Sequence, residues 1–239
     1  MRTILLISAL FLLSSGSDAA GAGYLYNAKF VQAAPGKLLA LIDHHKSRMA
    51  AYSTTGDEPP MLVRHSQGDK WDLMLLFPMG SYGEYYQADR VAKRQKAGVF
   101  EEKYRELVAW QEDLFVYGPP LAELRNAFSK AAFFHLEIFQ SLPGRQSDLY
   151  KEREMENAYQ KTLGRPENVI FVRDQGASWD LFTLGFYRNL KHYAESADIP
   201  EKDQESAAKS AGFEASNRIG AYLRTLIAAH HDTLAVAVK

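Results

Sequence analysis

Gln67-Gly68-Asp69-Lys70-Trp71-Asp72-Leu73 and Gln175-Gly176-Ala177-Ser178-Trp179-Asp180-Leu181 share five of their seven residues at a spacing of 108. Working outward at that offset, Gln32, Pro35, Gly36 and Leu41 recur as Gln140, Pro143, Gly144 and Leu149. Gly56, Leu76 and Tyr85 recur as Gly164, Leu184 and Tyr193. One constant offset means that loop lengths are preserved along with residues, which composition alone does not produce. A period this long, occurring twice, argues for two copies of one small domain and against a solenoid.

Each copy has a mixed α/β pattern. Tyr24 to Val31 alternates and is rich in aromatic and branched side chains, so it is predicted to be a strand. Pro35-Gly36 breaks it, and Leu38, Leu41 and Ile42 then repeat at helical spacing in a helix over 37–53. Strands are expected at Met61–His65 and Trp71–Phe77, joined as a hairpin by the short Gln-Gly link. Helical pattern is clearest between Phe100 and Glu112, ahead of a short strand at Leu114–Tyr117. The second copy predicts strands at Phe133–Phe139, Val169–Arg173, Trp179–Phe186 and Thr233–Val238. Its helices are expected at Arg145–Leu163 and about Gly212–Ala229, with a polar insertion at Ser196–Ser210. Strand, helix, strand, strand, helix, strand is the ferredoxin-like split unit. The fold class is therefore α+β, two ferredoxin-like repeats over 23–125 and 126–239 following a signal peptide over 1–22.

The N-terminus sets the expected compartment. Arg2, the apolar run Ile4–Leu13 and the small residues around Ala20-Gly21-Ala22 follow the order of a secretory signal peptide. The run is too short to span a bilayer, and no cysteine follows it to carry a lipid anchor. The expectation is an exported protein, periplasmic or secreted, with no membrane partner after cleavage. A formal net charge of -1 leaves no basic excess to attract nucleic acid. The absence of cysteine removes disulfides, thiolate zinc sites, iron–sulfur clusters and cysteine nucleophiles together.

The element order resembles the dimeric α+β barrel superfamily, in the version that carries both halves on one polypeptide. A W-D-L strand running into an aromatic-rich helix start (Tyr82, Tyr85, Tyr86; Tyr187, Tyr193) is similar to antibiotic-biosynthesis-monooxygenase-like domains. The resemblance implies a barrel with helices outside, for which a monomer of the fused chain suffices. It does not imply one chemistry, because such barrels include cofactor-free oxygenases, haem-degrading enzymes, chlorite-dismutase-like haem proteins, isomerases and stress-response proteins.

If the barrel interior is the ligand site, strand faces decide its lining. Tyr26, Ala28 and Phe30, with Phe134, Leu136 and Ile138, are apolar in both copies and are expected beneath the helices. The alternate set puts Asn27 and Lys29 in one half and His135 and Glu137 in the other, the mixed character of a lumen. A buried His two residues from a Glu is a candidate for proton transfer, so His135 and Glu137 are the candidate catalytic pair. Asn27, Lys29, His65, Arg173, Trp71 and Trp179 are candidate ligand contacts. The plainer readings are an ion pair between Lys29 and Glu137, strand-end arginines at the surface, and tryptophans that pack the hairpin ends. Asp72 and Asp180 recur and suit capping of backbone amides near the turn.

No metal site is expected. His44-His45 and His230-His231 are adjacent pairs, and neither H-x-x-x-H nor H-E-x-x-H occurs. A metal would need His and carboxylates assembled from distant segments. Cofactors are expected to be none, with haem on His135, His192 or His65 a lesser alternative drawn from the resemblance. Nucleotide loops and the G-x-S-x-G elbow are absent. The expected function is an exported small-molecule-binding barrel, with a cofactor-independent monooxygenase-like activity as its enzymatic form. The alternative is a non-catalytic binding or stress-associated protein with a filled barrel.

Overall fold

The computed structural model describes residues 23–97 and 102–238, so the signal-peptide expectation lies outside the described residues. The first unit comprises β1 (Tyr24–Ala33), α1 (Leu38–Thr55), β2 (Met61–Gln67) and β3 (Leu73–Gly80). It continues through α2 (Tyr82–Tyr85), α3 (Ala88–Lys96) and α4 (Glu102–Leu107) to β4 (Val108–Gly118). A linking helix, α5 (Leu121–Ser129), crosses the boundary expected at 125/126. The second unit has β5 (Phe133–Ser141), α6 (Gln146–Thr162), β6 (Val169–Gly176), β7 (Leu181–Tyr187) and α7 (Leu190–Ala194). It ends with α8 (Glu201–Ser210), α9 (Ile219–Arg224) and β8 (Ile227–Ala237).

The strands close in the order β1-β3-β2-β8-β5-β7-β6-β4, with every neighbouring pair antiparallel. Each half keeps its own four-strand sheet, and two seams, β2 with β8 and β4 with β6, join the halves. The repeated Gln-Gly lies at both seams. Gln67 pairs with Leu234 on β8, and Gly176 pairs with Leu114 on β4.

The faces are the reverse of those expected. Tyr26, Ala28, Phe30, Phe134, Leu136 and Ile138 belong to one buried cluster fed by all eight strands. Phe30 on β1 meets Phe182 on β7 edge-on, 6.2 Å between ring centroids, and those two strands are not neighbours in the sheet. That contact crosses the lumen, so the barrel is filled by side chains, and α5 covers one end with Leu124. The opposite face carries Val31, Leu73 and Leu75 against Leu41 of α1, and Phe139 and Leu181 against Leu149 of α6. Asn27, Lys29, His135 and Glu137 therefore point toward the helix layer and not into the lumen. An eight-stranded barrel has an interior just wide enough for side chains to fill, which selects the wholly apolar face for it. The mixed face goes where helices and solvent can satisfy polar heads.

Two strands also start earlier than local periodicity indicates. β4 begins at Val108, where helical pattern was expected to run to Glu112, because Gln111–Gly118 lies in continuous register on β1. β8 begins at Ile227 for the same reason, paired along β5. Long-range pairing overrides a weak helical period in both places.

Asp72 and Asp180 do bond backbone amides. β1 shifts register between Gln32 and Ala33, and β5 between Gln140 and Ser141. A bulge leaves an amide outside the ladder. Asp72 Oδ2 accepts from Ala33 N and Asp180 Oδ2 from Ser141 N, both at 2.8 Å.

Candidate functional site

The space between sheet and helices differs between the two halves. In the first half it holds a cavity of about 520 Å³ between the outer faces of β1, β3 and β4 and helices α1 to α4. Phe77, Phe115, Tyr52, Tyr85 and Tyr104 line it, with Asn27 and Lys29 on the floor and His44, His45 and Arg48 on α1. Among the described residues four cations (Lys29, Arg48, Arg94, Arg105) and three carboxylates (Asp57, Glu58, Asp113) line it, a mixed lining in which Lys29 pairs with Asp113 and Arg94 with Asp57.

Its polar groups are positioned from several elements. Lys29 is paired with Asp113, which also accepts from Gln111 Nε2, and the Tyr104 hydroxyl donates to Gln111 Oε1 at 2.7 Å. Arg94 Nη1 meets both Asp57 oxygens at 3.0 and 3.3 Å, and its guanidinium lies 3.9 Å over the Tyr85 ring. Arg90 adds a 2.7 Å bond to the same carboxylate, which ties α3 to the end of α1. His45 is buried, and among the described residues its Nε2 has no hydrogen-bond partner. Burial first, then His44, Lys29 and Arg48, lower its pKa to about 4. Burial raises Tyr52 to about 12 and raises Tyr104 further. At neutral pH the cavity thus offers protonated phenols as donors and an uncharged imidazole as acceptor.

The offset of 108 shows how differently the matching positions of the second half are occupied. His44, His45 and Arg48 on α1 correspond to Glu152, Arg153 and Glu156 on α6, and Lys29 to Glu137. Arg153, which answers His45, is buried in a cluster of carboxylates. It bonds Glu152 through Nε and Nη2 at 2.6 and 2.8 Å, meets Glu156 Oε2 at 2.5 Å, and lies 3.6 Å from Glu137 Oε2. Its guanidinium also covers the Phe139 ring at 4.8 Å. Burial raises the pKa of Glu156 to about 7, with Glu137 and Glu152 adding to it and Arg153 opposing. Glu137 is held low instead, because His230, Arg153 and His135 outweigh its burial.

No protein-family model and no curated protein matches the chain. Among solved structures, an anthrone oxidase-like protein superposes with a TM-score of 0.61 at 12% identity, over 92% of this chain and 93% of that one. A mutant chlorite dismutase from Candidatus Nitrospira defluvii superposes with a TM-score of 0.51 at 10% identity, over 91% and 92%. The chain has the fold of a single-chain dimeric α+β barrel. At such identities the likeness is one of fold.

Within this barrel the sequence-derived candidates separate. Asn27 and Lys29 line the first-half cavity. His135 and Glu137 sit in the second-half cluster and do not line that cavity. Trp71 packs in the lumen against Phe30, 5.5 Å between rings. Trp179 donates Nε1 to Glu112 Oε2 at 2.9 Å. Arg173 pairs with Asp180 at 2.8 Å, and His65 rests against Trp71. These four do not line the cavity. Lys29 and Glu137 do not pair with each other, since each has its own partners.

The residues named for haem do not fit it. His135 bonds Asp232 and His192 Nδ1 accepts from Arg188 N at 3.2 Å, while His65, though its Nε2 is unpartnered among the described residues, packs on Trp71 and does not line the cavity. The cavity residues that sequence reasoning missed, His45 above all, sit on a helix whose partner copy has Arg at the same place. That departure within the repeat was the available signal.

Proposed function

We propose that the protein is an exported small-molecule-binding barrel whose ligand, a planar aromatic compound with an acidic group, occupies the first-half cavity. The observation that carries this reading is the chamber of about 520 Å³ beside His45, at a repeat position where the second half has Arg153 buried among Glu137, Glu152 and Glu156. Aromatic walls suit a flat ring system, and the cationic side chains of the described lining, Lys29 and Arg105 among them, suit its acidic group. Export rests on the N-terminal charged, apolar and small-residue order.

The finer reading is cofactor-independent oxygenation. His45, uncharged at neutral pH and without an Nε2 hydrogen-bond partner among the described residues, is the group placed to accept a hydrogen bond from a bound phenol or enol as oxygen reacts with its electron-rich ring. Haem is the second reading, favoured by the same unpartnered imidazole: His45 would hold the iron and Arg48, Arg94 or Arg105 its carboxylates. Bound there, haem would supply one-electron and oxygen chemistry.

Titration with an anilinonaphthalene sulfonate tests the binding reading. Saturable binding is expected, and His45→Arg, which copies the second half, should weaken it at least about tenfold with the fold intact. No saturable binding, or equal binding by His45→Arg, refutes it. Oxygen uptake with anthrone, compared between the native chain and His45→Ala, tests the finer reading. The absorbance spectrum of protein isolated from its exporting host tests for haem.

A further inference from the structure

Glu137 divides its two carboxylate oxygens between two neighbourhoods. Oε2 accepts from the Thr183 hydroxyl at 3.1 Å and lies 3.6 Å from Arg153 Nη1. Oε1 lies 3.4 Å from His230 Nε2. That imidazole nitrogen is buried without a hydrogen-bond partner among the described residues, and it is also 3.6 Å from Asp232 Oδ1. Asp232 Oδ1 is in turn 3.0 Å from His135 Nε2. Ligand atoms of His135, Glu137 and Asp232 all fall within 4.8 Å of one another.

We propose that His135, Glu137 and Asp232, with His230 beside them, form a binding site for a divalent first-row transition-metal ion, separate from the first-half cavity. Metal–nitrogen and metal–oxygen bonds of about 2.1 Å place the ligands of a tetrahedral ion about 3.4 Å apart. Along the chain of donors from His135 through Asp232 and His230 to Glu137 the three separations are 3.0, 3.6 and 3.4 Å, close to that edge length. Two imidazoles and two carboxylates without a thiolate suit zinc, manganese or ferrous iron, and do not suit the cuprous ion.

The surroundings hold the donors in place. The His230 ring stacks on Phe139 at 4.7 Å and 11°, and the His135 ring leans on Tyr193 at 5.3 Å. Thr183 and Arg153 engage only the far oxygen of Glu137, the outer support that metal carboxylates use. Asp232 is 56% exposed at its side chain, which gives an ion a route from solvent. On the paired strands β5 and β8 the ligands are alternate residues, His135 with Glu137 and His230 with Asp232, and Glu137 lies directly opposite Asp232. The matching positions of the first half are Asn27, Lys29, Gln111 and Asp113, where an ammonium stands in place of the central carboxylate. The site therefore exists once.

The test is calorimetric titration of zinc into the full chain, purified without a histidine tag and stripped with a chelator, with stoichiometry from native mass spectrometry. One zinc per chain is expected. His230→Gln and Asp232→Asn should each weaken binding at least about tenfold, a loss of the size even outer ligands cause. Asp232→Asn alters an exposed side chain, so its circular dichroism should match the parent and the loss is then one of ligation. Asp113→Asn in the other half should leave zinc affinity unchanged. Absence of saturable zinc binding, or equal affinity in both ligand variants, overturns the proposal.

Discussion

A Cβ on Gly68 would stand 2.1 Å from the carbonyl oxygen of Asp232, across the seam where the first half of the barrel meets the second. Its repeat mate Gly176 makes the same approach to Asp113 at the other seam, at 2.4 Å. Both glycines have positive φ, +118° and +84°. The repeated Gln-Gly is thus the device that lets two sheets close on each other, and backbone on the far side cannot yield as a side-chain tip would.

Gly68→Ala and Gly176→Ala should each destabilise by at least about 2 kcal/mol, since left-handed backbone alone costs about 1–2 kcal/mol for an L-residue. Urea unfolding measures it. Alanine at either position with unchanged midpoint would mean that the seam relaxes easily.

His45 makes stability depend on pH. Its folded pKa of about 4 lies below the ordinary 6.5, so the unfolded chain binds the extra proton first. The contribution is complete above pH 6.5, falls as pH drops toward 4, and levels off below that. The full span is about 3 kcal/mol at most. Glu156, raised to about 7, runs the opposite way, losing stability as pH rises from its unfolded value through 7. Subtracting the pH profile of His45→Gln from that of the native chain isolates the His45 contribution, and a flat difference between pH 7 and 4.5 contradicts the assignment.

Arg153 is almost fully buried among Glu137, Glu152 and Glu156. Arg153→Leu should cost about 3–5 kcal/mol, because buried carboxylates lose their counter-charge. Adding Glu152→Gln should recover part of that loss in a double-mutant cycle. A strictly additive second loss would show that packing, not charge, sets the cost.

The two aspartates of the W-D-L motif should not be equal. Asp72 bonds the Ala33 amide, whereas Asp180 bonds the Ser141 amide and hydroxyl and Arg173 as well. Asp72→Ala should cost about 1–3 kcal/mol and Asp180→Ala measurably more, read as shifts in denaturation midpoint. Equal shifts would place the value of both residues in the bulge amide alone.

Much of this architecture is legible in the chain because repeats record themselves. Gln-Gly at the seams, Asp at the bulges, and Leu41 and Leu149 under the helices each recur at one offset, since each serves a scaffold that exists twice. Function is legible in the opposite places. His45 facing Arg153, and Asn27 and Lys29 facing His135 and Glu137, are positions where the copies part company. Reading identities finds the first group, and only departures at the same offset point to the second.

By itself the sequence determined the two-fold repeat, the α+β unit, the order of its strands and helices, and the alternation that separates one strand face from the other. The tertiary structure alone decided which face is inside, where β4 and β8 begin, and which distant side chains meet. Alternation with period 2 distinguishes two faces but assigns neither to the core. That choice belongs to the closed barrel, whose narrow lumen takes Tyr26, Phe30 and Phe182 and sends the ionisable face outward to the helices. His135, Glu137, His230 and Asp232 meet for the same reason: a ladder between β5 and β8, nearly a hundred residues apart, brings together groups that no local spacing relates.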